Sequence, residues 1–335
     1  MMNTTAIATV AVTTVVALLA SIYTLVYLFS NQPRSVEPSE QVSSYYDYDS
    51  KTIKKAQLPQ TPLHKSELKF SIVVPSYNET ERIYVMLREA LEYFAQNEDY
   101  SKEISTAKDA YEILIVDDGS RDGTFQYVLD LCRQDEFFAK VLSTTNGVIR
   151  CIQLSKNRGK GGAVRHGMLH ARGEYILFAD ADGASKFADS GKLITSIQDK
   201  TESGKAAIAI GSRAHMVNTD AVVKRSLIRN ILMYGLHTLV FIFGIRSIKD
   251  TQCGFKLFNR KSMLSIFPFL HTERWIFDVE ILILGIRKNI DIHEVAISWH
   301  EVDGSKVDLA RDSINMAIDL VVIRLAYLFG IYKDN

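Results

Sequence analysis

The sequence has few cysteines and no excess of either charge. Cys132, Cys151 and Cys253 are odd in number and widely scattered. They fit neither a disulfide framework nor a zinc site, and they indicate a reducing compartment for the folded part. Lysine plus arginine equals aspartate plus glutamate at 39 each, so the bulk charge gives no reason to expect a nucleic-acid partner. A chain of 335 residues can hold one large domain or two.

Charge is also absent from the side chains of residues 1–33. Residues 6–29 form an apolar run long enough to cross a bilayer as a helix, and its aromatic residues near position 29 match an interfacial belt. The alternative, a cleaved signal peptide, would have a basic start and a shorter apolar region. We therefore predict an uncleaved single-pass anchor over residues 1–30.

The residues after the anchor carry positive charge at Arg34, Lys51, Lys54 and Lys55. The positive-inside rule therefore places the bulk of the chain in the cytosol. Residues 31–66 are rich in serine, proline, glutamine, tyrosine and charge, without apolar periodicity. This composition predicts a cytosolic linker.

Strand-like and helix-like segments alternate from residue 67 onward. Apolar runs that end in turn residues predict five strands, near 70–75, 111–116, 148–154, 176–179 and 206–213. Helical spacing of apolar residues appears between them, first at 81–94. Such alternation predicts an α/β fold with a mostly parallel sheet flanked by helices. The carboxyl ends of the five strands would then meet at one edge.

Two apolar segments follow the predicted strands. Residues 230–245 are too few for a comfortable membrane span, so they predict either a helix at the membrane interface or a buried core helix. The final segment, 307–335, contains an amphipathic helix over 314–330 that either rests on the bilayer or covers the sheet. We expect both to be membrane-proximal helices.

The fourth predicted strand ends in Asp180 and Asp182, separated by one alanine. Two carboxylates at a strand exit can converge on a hard divalent cation such as Mg²⁺ or Mn²⁺, with phosphate oxygens completing its shell. The alternative is that both residues only cap a turn. The pair therefore predicts a metal and diphosphate site if other motifs agree.

Two further groups favour a nucleotide ligand. Asp117 and Asp118 follow the second strand, where α/β proteins present carboxylates to a nucleoside, although capping the next helix is the alternative. The run 156–162 alternates cations, including Lys160, with glycines at a predicted helix start that favours phosphate. This run has neither the P-loop nor the dinucleotide spacing.

A second cationic group precedes the apolar segment 230–245. It consists of Arg213, Lys224, Arg225 and Arg229. A solvated face is the ordinary interpretation of such charges. Their place between the sheet edge and a predicted membrane surface also suits an anionic lipid head group.

Six sequence blocks together carry a family resemblance. They are IVVPSYNE at 72–79, VDDGS at 116–120, NRGKGGAVRHG at 157–167, DADGAS at 180–185, GSR at 211–213 and KDTQCGFKLFNR at 249–260. In this order they resemble glycosyltransferase family 2 enzymes with the Rossmann-like GT-A fold. Two later blocks, ERWIFDVEIL at 273–282 and WHEVDGSK at 299–306, are similar to the members that glucosylate dolichyl phosphate.

The resemblance implies an inverting transfer of glucose from UDP-glucose to dolichyl phosphate. It places the enzyme at the cytosolic face of the endoplasmic reticulum membrane, making a lipid-linked glucose donor for protein N-glycosylation. The implied donor-binding residues are Pro75, Tyr77, Glu79, Asp117, Asp118, Lys160 and Asp180, with Asp180 and Asp182 facing the metal. The implied acceptor-phosphate residues are Arg213, Arg225, Arg229 and Lys306, and the implied catalytic residues are Asp182, Arg213 and Asp250.

Ala184 departs from the related mannosyl-transferring enzymes, which have glutamine there as a further metal ligand, so water or backbone would complete the shell. A phosphate monoester has a second pKa of about 6 and is already nucleophilic at neutral pH. We therefore expect Asp250 to orient an arginine or the sugar, with a purely structural salt bridge as the alternative. Three rival functions stay open: a mannosyl or other hexosyl transferase on the same lipid, a polysaccharide synthase, and a noncatalytic nucleotide-sugar-binding membrane protein.

Overall fold

The structure, a computed structural model, describes residues 4–97, 110–216, 235, 238, 245–246, 248–304, 306 and 309–334. Arg225 and Arg229, predicted to bind the acceptor phosphate, lie outside the described residues. Nearly all of the apolar segment 230–245 also lies outside them.

Nine strands form one sheet within these residues, in the order β2-β1-β5-β4-β3-β6-β8-β7-β9. They are β1 Val42–Asp47, β2 Thr52–Gln57, β3 Leu68–Ser76, β4 Tyr111–Asp117, β5 Gly147–Gln153, β6 Gly173–Ala179, β7 Ala207–Ser212, β8 Phe255–Asn259 and β9 Asp291–Ala296. The four central strands, β5, β4, β3 and β6, are parallel, as predicted. Because β8 is antiparallel to both β6 and β7, β7 points the same way as the centre. The carboxyl ends of all five predicted strands therefore meet at one edge.

Helices cover both faces of this sheet. They are α2 Ile83–Gln96, α3 Thr124–Gln134, α4 Glu136–Thr144, α5 Lys160–His170, α6 Ser190–Glu202, α7 Arg260–Ile266, α8 Phe277–Arg287 and α9 Leu309–Leu328. Side chains alternate across each strand: Ile72 and Val74 pack with α2, α3, α4 and α6, whereas Val73 packs with α5, α7, α8 and α9. The predicted layered α/β architecture is confirmed.

The first helix, α1 Thr4–Phe29, is long and apolar enough to cross a membrane. Its segment 7–29 has a mean hydropathy of 2.1, and only 6% of the most apolar stretch is buried by the protein. The end of α1 contacts the carboxyl-terminal region, since the rings of Tyr23 and Phe329 lie 6.0 Å apart and the Asn31 N–H donates to the Tyr332 hydroxyl at 2.6 Å.

The last helix, α9, has one face in the core and another in solvent. Leu320, Ile323 and Ala326 are fully buried, whereas Ile314 and Ile318 are at least half exposed. The helix therefore packs on the domain, which is one of the two alternatives predicted, and it also exposes apolar side chains.

The linker predicted for residues 31–66 is wrong at 42–57, where β1 and β2 form an antiparallel hairpin. β1 also pairs with β5 and so extends the central sheet. The hairpin lies at the sheet edge, and the side chains of β2 are almost all exposed, so no apolar alternation marks it in the sequence. A hairpin at a sheet edge with one strand exposed to solvent has a polar composition that resembles that of a linker.

A buried ion pair joins this amino-terminal segment to the loop after β5. The Arg158 guanidinium bonds the Glu40 carboxylate at 2.5 Å, and both side chains are almost fully buried. Arg158 also donates to the carbonyls of Arg34 and Ser35 at 2.8 and 2.7 Å. The Ser155 N–H and hydroxyl donate to Glu40 at 2.9 Å. The chain that follows α1 is therefore bound directly to the loop 155–159.

We expect Glu40→Gln to destabilise the protein by about 3 kcal/mol at pH 7, because it leaves the Arg158 cation buried without its main counter-charge. Burial alone would raise the pKa of Glu40, but the Glu37 N–H, Arg158 and Ser155 lower it from 4.5 to about 2. The carboxylate therefore stabilises the fold above pH 4.5, and this stabilisation is lost as the pH falls towards 2.

Thermal unfolding in detergent at pH 7 and pH 3 measures this effect. The difference in Tm between the wild type and Glu40→Gln should shrink at pH 3. The control is Glu136→Gln, which changes an exposed carboxylate and should alter Tm little. Equal Tm values for Glu40→Gln and the wild type at pH 7 would contradict the assignment.

Candidate active site

The predicted site residues converge on one cleft of about 740 Å³ at the carboxyl edge of the sheet. Those lining it are Pro75, Tyr77, Glu79, Asp118, Lys160, Asp180, Asp182, Arg213 and Lys306. They come from segments spread over more than 200 positions of the sequence. The parallel centre of the sheet brings them together because each segment follows a strand that ends at this edge.

Asp180 and Asp182 follow directly after β6. The Lys160 ammonium, at the start of α5, lies 2.6 Å from an Asp180 carboxylate oxygen. The Ala184 N–H donates to Asp182 Oδ1 at 3.0 Å and fixes that side chain. Burial, and then the like charge of Asp180, raises the pKa of Asp182. The pair is therefore an electrostatically unfavourable arrangement that a bound cation would relieve.

Gly254 makes room for the Asp180 carboxylate. A Cβ atom at position 254 would lie 2.0 Å from Asp180 Oδ2, and the Asp180 N–H donates to the Gly254 carbonyl at 3.1 Å. Any larger residue would have to displace the carboxylate. The close approach of the segment before β8 thus sets the orientation of Asp180.

The two carboxylates at this edge fit a divalent cation that the protein and the substrate would bind jointly. Within the described ranges, no cluster of three or more His, Cys, Asp or Glu side chains could hold a metal ion. The Ala184 carbonyl, at the position where related enzymes have glutamine, accepts from the His300 N–H at 2.9 Å. Two carboxylates would therefore leave the other positions of a six-coordinate Mg²⁺ or Mn²⁺ to diphosphate oxygens and water.

Asp118 organises the loop at the other end of the cleft. Its carboxylate accepts the N–H groups of Arg158 and Gly159 at 2.6 and 2.9 Å, and burial raises its pKa to about 7. Gly159 has a φ of +88°, and a Cβ there would lie 2.6 Å from the Glu273 carbonyl oxygen. Asp117, predicted as a second donor ligand, is instead fully buried beneath the cleft and accepts the Ser120 N–H at 3.2 Å.

Glu79 is paired with a residue that the sequence analysis did not select. Arg82 donates to both Glu79 carboxylate oxygens at 2.6 and 2.8 Å and to the Asp303 carbonyl at 3.1 Å. Arg82 thereby ties the loop after β3 to the segment 299–306. Burial raises the pKa of Glu79, and Arg82 opposes that rise.

Asp250 lies behind Arg213 and does not line the cleft. Its carboxylate accepts Arg213 Nε and Nη2 at 2.7 and 2.8 Å, and also the Arg213 N–H at 2.8 Å. Burial alone would raise the pKa of Asp250, but the bonds to Arg213 outweigh burial and hold it below the ordinary value. The guanidinium is also 5.5 Å from the Trp299 ring. The carboxylate of Asp250 is therefore fully engaged in holding the Arg213 guanidinium, which fits both the orienting role and the structural salt bridge that the sequence left open.

Several residues that line the cleft were missed. Besides Arg82 they are Arg274, Trp275 and Trp299. All but Arg82 lie in the two later blocks, 273–282 and 299–306, which the sequence analysis used for the resemblance without assigning a role to these side chains. Both tryptophans of the chain lie in these two blocks, which is the only signal that the sequence offered for them.

Comparisons with known proteins identify the family of the chain. Residues 71–267 match the family described as glycosyl transferase family 2. The chain is 57% identical to the dolichyl-phosphate beta-glucosyltransferase of Saccharomyces cerevisiae, over 98% of this chain and 96% of that protein. It is 43% identical to the Homo sapiens protein of the same name, over 78% and 77%.

The chain is also weakly similar to solved structures. The crystal structure of Mycobacterium tuberculosis glucosyl-3-phosphoglycerate synthase with Mn²⁺ and UDP-glucose has a TM-score of 0.47 and 14% identity, covering 76% of this chain and 78% of that chain. At this similarity the assignment depends on the sequence matches alone. By those matches, the chain belongs to glycosyl transferase family 2.

Proposed function

We propose that this protein transfers glucose from UDP-glucose to dolichyl phosphate with inversion, giving dolichyl β-D-glucosyl phosphate and UDP. The observation that carries the proposal is the single cleft that unites Asp180 and Asp182 with Asp118, Lys160 and Arg213. The names of the relatives, at 57% and 43% identity, support the same product.

The donor would lie along the sheet edge. Asp118 and the loop it orders lie where the nucleoside would bind, and Lys160 stands beside Asp180 where the diphosphate would meet a cation. Mg²⁺ or Mn²⁺ held by Asp180 and Asp182 would supply charge that neutralises the diphosphate leaving group. Lys160 adds a fixed positive charge that persists without the metal.

The acceptor phosphate would act as its own nucleophile. One of its oxygens attacks C1 of glucose while the bond from C1 to the UDP oxygen breaks, so a single displacement converts an α-linked donor into a β-linked product. A phosphate monoester is largely dianionic at pH 7, so no proton has to be removed. Arg213, held by Asp250, would orient a phosphate group rather than activate it.

The membrane location is part of the proposal. We infer that α1 anchors the protein in the endoplasmic reticulum membrane with the catalytic domain in the cytosol. Its apolar composition and the basic residues that follow it support this orientation. The three cysteines are buried and unpaired within the described structure, which agrees with a reducing compartment.

The first prediction concerns donor, acceptor and metal together. Protein purified in detergent should move radiolabel from UDP-glucose, and not from GDP-mannose, into dolichyl phosphate. EDTA should abolish transfer, and Mg²⁺ or Mn²⁺ should restore it. Asp182→Asn should lower kcat roughly a hundredfold, because one of two charges that hold the cation is lost.

The outcomes separate the rival functions. Transfer only from GDP-mannose would replace the donor and keep the mechanism. UDP binding without transfer from either donor would indicate a noncatalytic binding protein. A radiolabelled polymer in place of a lipid monosaccharide would indicate a polysaccharide synthase.

The second prediction tests the orientation of Asp180. Gly254→Ala should lower kcat about a hundredfold, since displacing a charged group by even 1 Å has effects of that size. It should also raise the Mn²⁺ concentration needed for half-maximal rate, with Tm close to that of the wild type. Full activity in this variant would show that the position of Asp180 is not critical.

The third prediction concerns Asp250 and Arg213. Asp250→Asn and Arg213→Lys should each lower kcat/KM by about tenfold or more, because each breaks the same two-pronged charged contact. The double variant should lose little beyond either single change. If the loss of kcat/KM in the double variant instead equals the product of the two single losses, Asp250 has a role separate from Arg213. Asp291→Asn, which alters an exposed pair with Lys200, is the control.

A further inference from the structure

A second cavity adjoins the donor cleft on the side where the membrane helix ends. This membrane-side cavity, of about 410 Å³, is lined by Asn31, Gln32, Asn157, Arg158, Gly159, His271, Glu273 and Arg274. Asn31 and Gln32 follow α1 within three residues of its last residue, Phe29. Asn157, Gly159 and Arg274 line both cavities, so the two spaces meet at these residues.

Most cations around the two cavities already have a carboxylate partner. The pairs are Arg82 with Glu79, Arg158 with Glu40, Lys160 with Asp180, and Arg213 with Asp250. Arg274 is exposed and, in the part of the chain that the structure describes, makes neither a hydrogen bond nor an ion pair within 4 Å. Its charge still reaches α9, where it opposes the rise that burial causes in the pKa of Asp319.

Arg274 also lies next to the reacting end of the donor cleft. The following residue, Trp275, lines that cleft, and the Lys160 ammonium is 5.8 Å from its ring. Lys160 in turn contacts Asp180. A group bound by Arg274 would therefore lie between the membrane side and the proposed diphosphate site. That is the position an attacking nucleophile needs if it comes from a lipid and the donor comes from solution.

We propose that Arg274 binds the phosphate monoester of the polyprenyl acceptor as it approaches from the membrane-side cavity. The inference rests on the proposed function and adds to it a residue and a direction of approach. A planar guanidinium can bind two oxygens of a phosphate at once. Lys306, which lines the same cleft, supplies a second positive charge for the dianion.

The two tryptophans allow a binding test that does not require turnover. Because Trp275 and Trp299 are the only tryptophans and both line the cleft, fluorescence excited selectively at tryptophan reports on this site. Citronellyl phosphate, a short water-soluble prenyl phosphate, is titrated into the full-length protein in detergent. UDP with Mn²⁺ and inorganic phosphate are titrated separately.

We expect Arg274→Gln to raise the Kd for citronellyl phosphate at least about tenfold, since a charged hydrogen-bonded contact is lost. The Kd for UDP should change less than about twofold on the same scale. Arg274→Lys keeps the charge but loses the two-pronged geometry, and it should give an intermediate Kd. The control is Arg133→Gln, which alters an exposed arginine on α3.

Steady-state kinetics give the second readout. Arg274→Gln should raise KM for dolichyl phosphate by a similar factor and leave KM for UDP-glucose unchanged. An increase confined to the Kd for UDP or to the KM for UDP-glucose would assign Arg274 to the donor and overturn the proposal, as would unchanged values for both ligands. Inorganic phosphate binding as tightly as citronellyl phosphate would also overturn it, since the site would then not select a lipid head group.

Failure of the proposed function would give a different result from failure of the Arg274 proposal. A wild-type protein that binds citronellyl phosphate through Arg274 yet transfers no glucose would refute the proposed reaction and retain the acceptor site.

Discussion

The cleft depends on holding Asp180 and Asp182 close together at the edge of a sheet, where burial and like charge both oppose ionisation. The structure meets this constraint with local compensation. The Lys160 ammonium pairs with Asp180, and the Ala184 N–H donates to Asp182. Gly254 leaves the space that the Asp180 carboxylate occupies. Because these groups come from three separate segments, the constraint fixes how α5, β6 and the segment before β8 must pack.

The same principle extends to most of the other cations of the site, which are held in fixed pairs with carboxylates. A pair such as Arg213 with Asp250 presents a guanidinium in one orientation, and holding a side chain in place before the ligand binds reduces the ordering that binding requires. Two anions must approach each other in the proposed reaction. A cleft of preset positive groups, completed by a cation, can accommodate both without the protein having to rearrange.

Sequence reasoning could predict the parallel centre and the strand-end carboxylates because both leave local signals. Buried parallel strands are apolar runs, and Asp180 with Asp182 interrupts such a run at its end. It failed for the β1–β2 hairpin, whose exposed strand has no apolar alternation. It also could not find the contact of Arg158 with Glu40, since 118 residues separate the partners. Arg82, Arg274 and the two tryptophans were missed because only the folded chain brings them to the cleft.

The segment that follows α1 is more than a spacer between this helix and the rest of the enzyme. The Glu40 carboxylate holds the Arg158 guanidinium, and the Arg158 N–H donates to Asp118. Two residues after Arg158, Lys160 pairs with Asp180. On the opposite side, Asn31 and Tyr23 contact the region after α9, while α9 itself contributes Asn315 to the cleft. The chain that emerges from α1 therefore contacts both walls of the site. A cleft built in this way has a fixed orientation relative to α1, which the proposed function requires if a lipid phosphate of limited reach is to enter it.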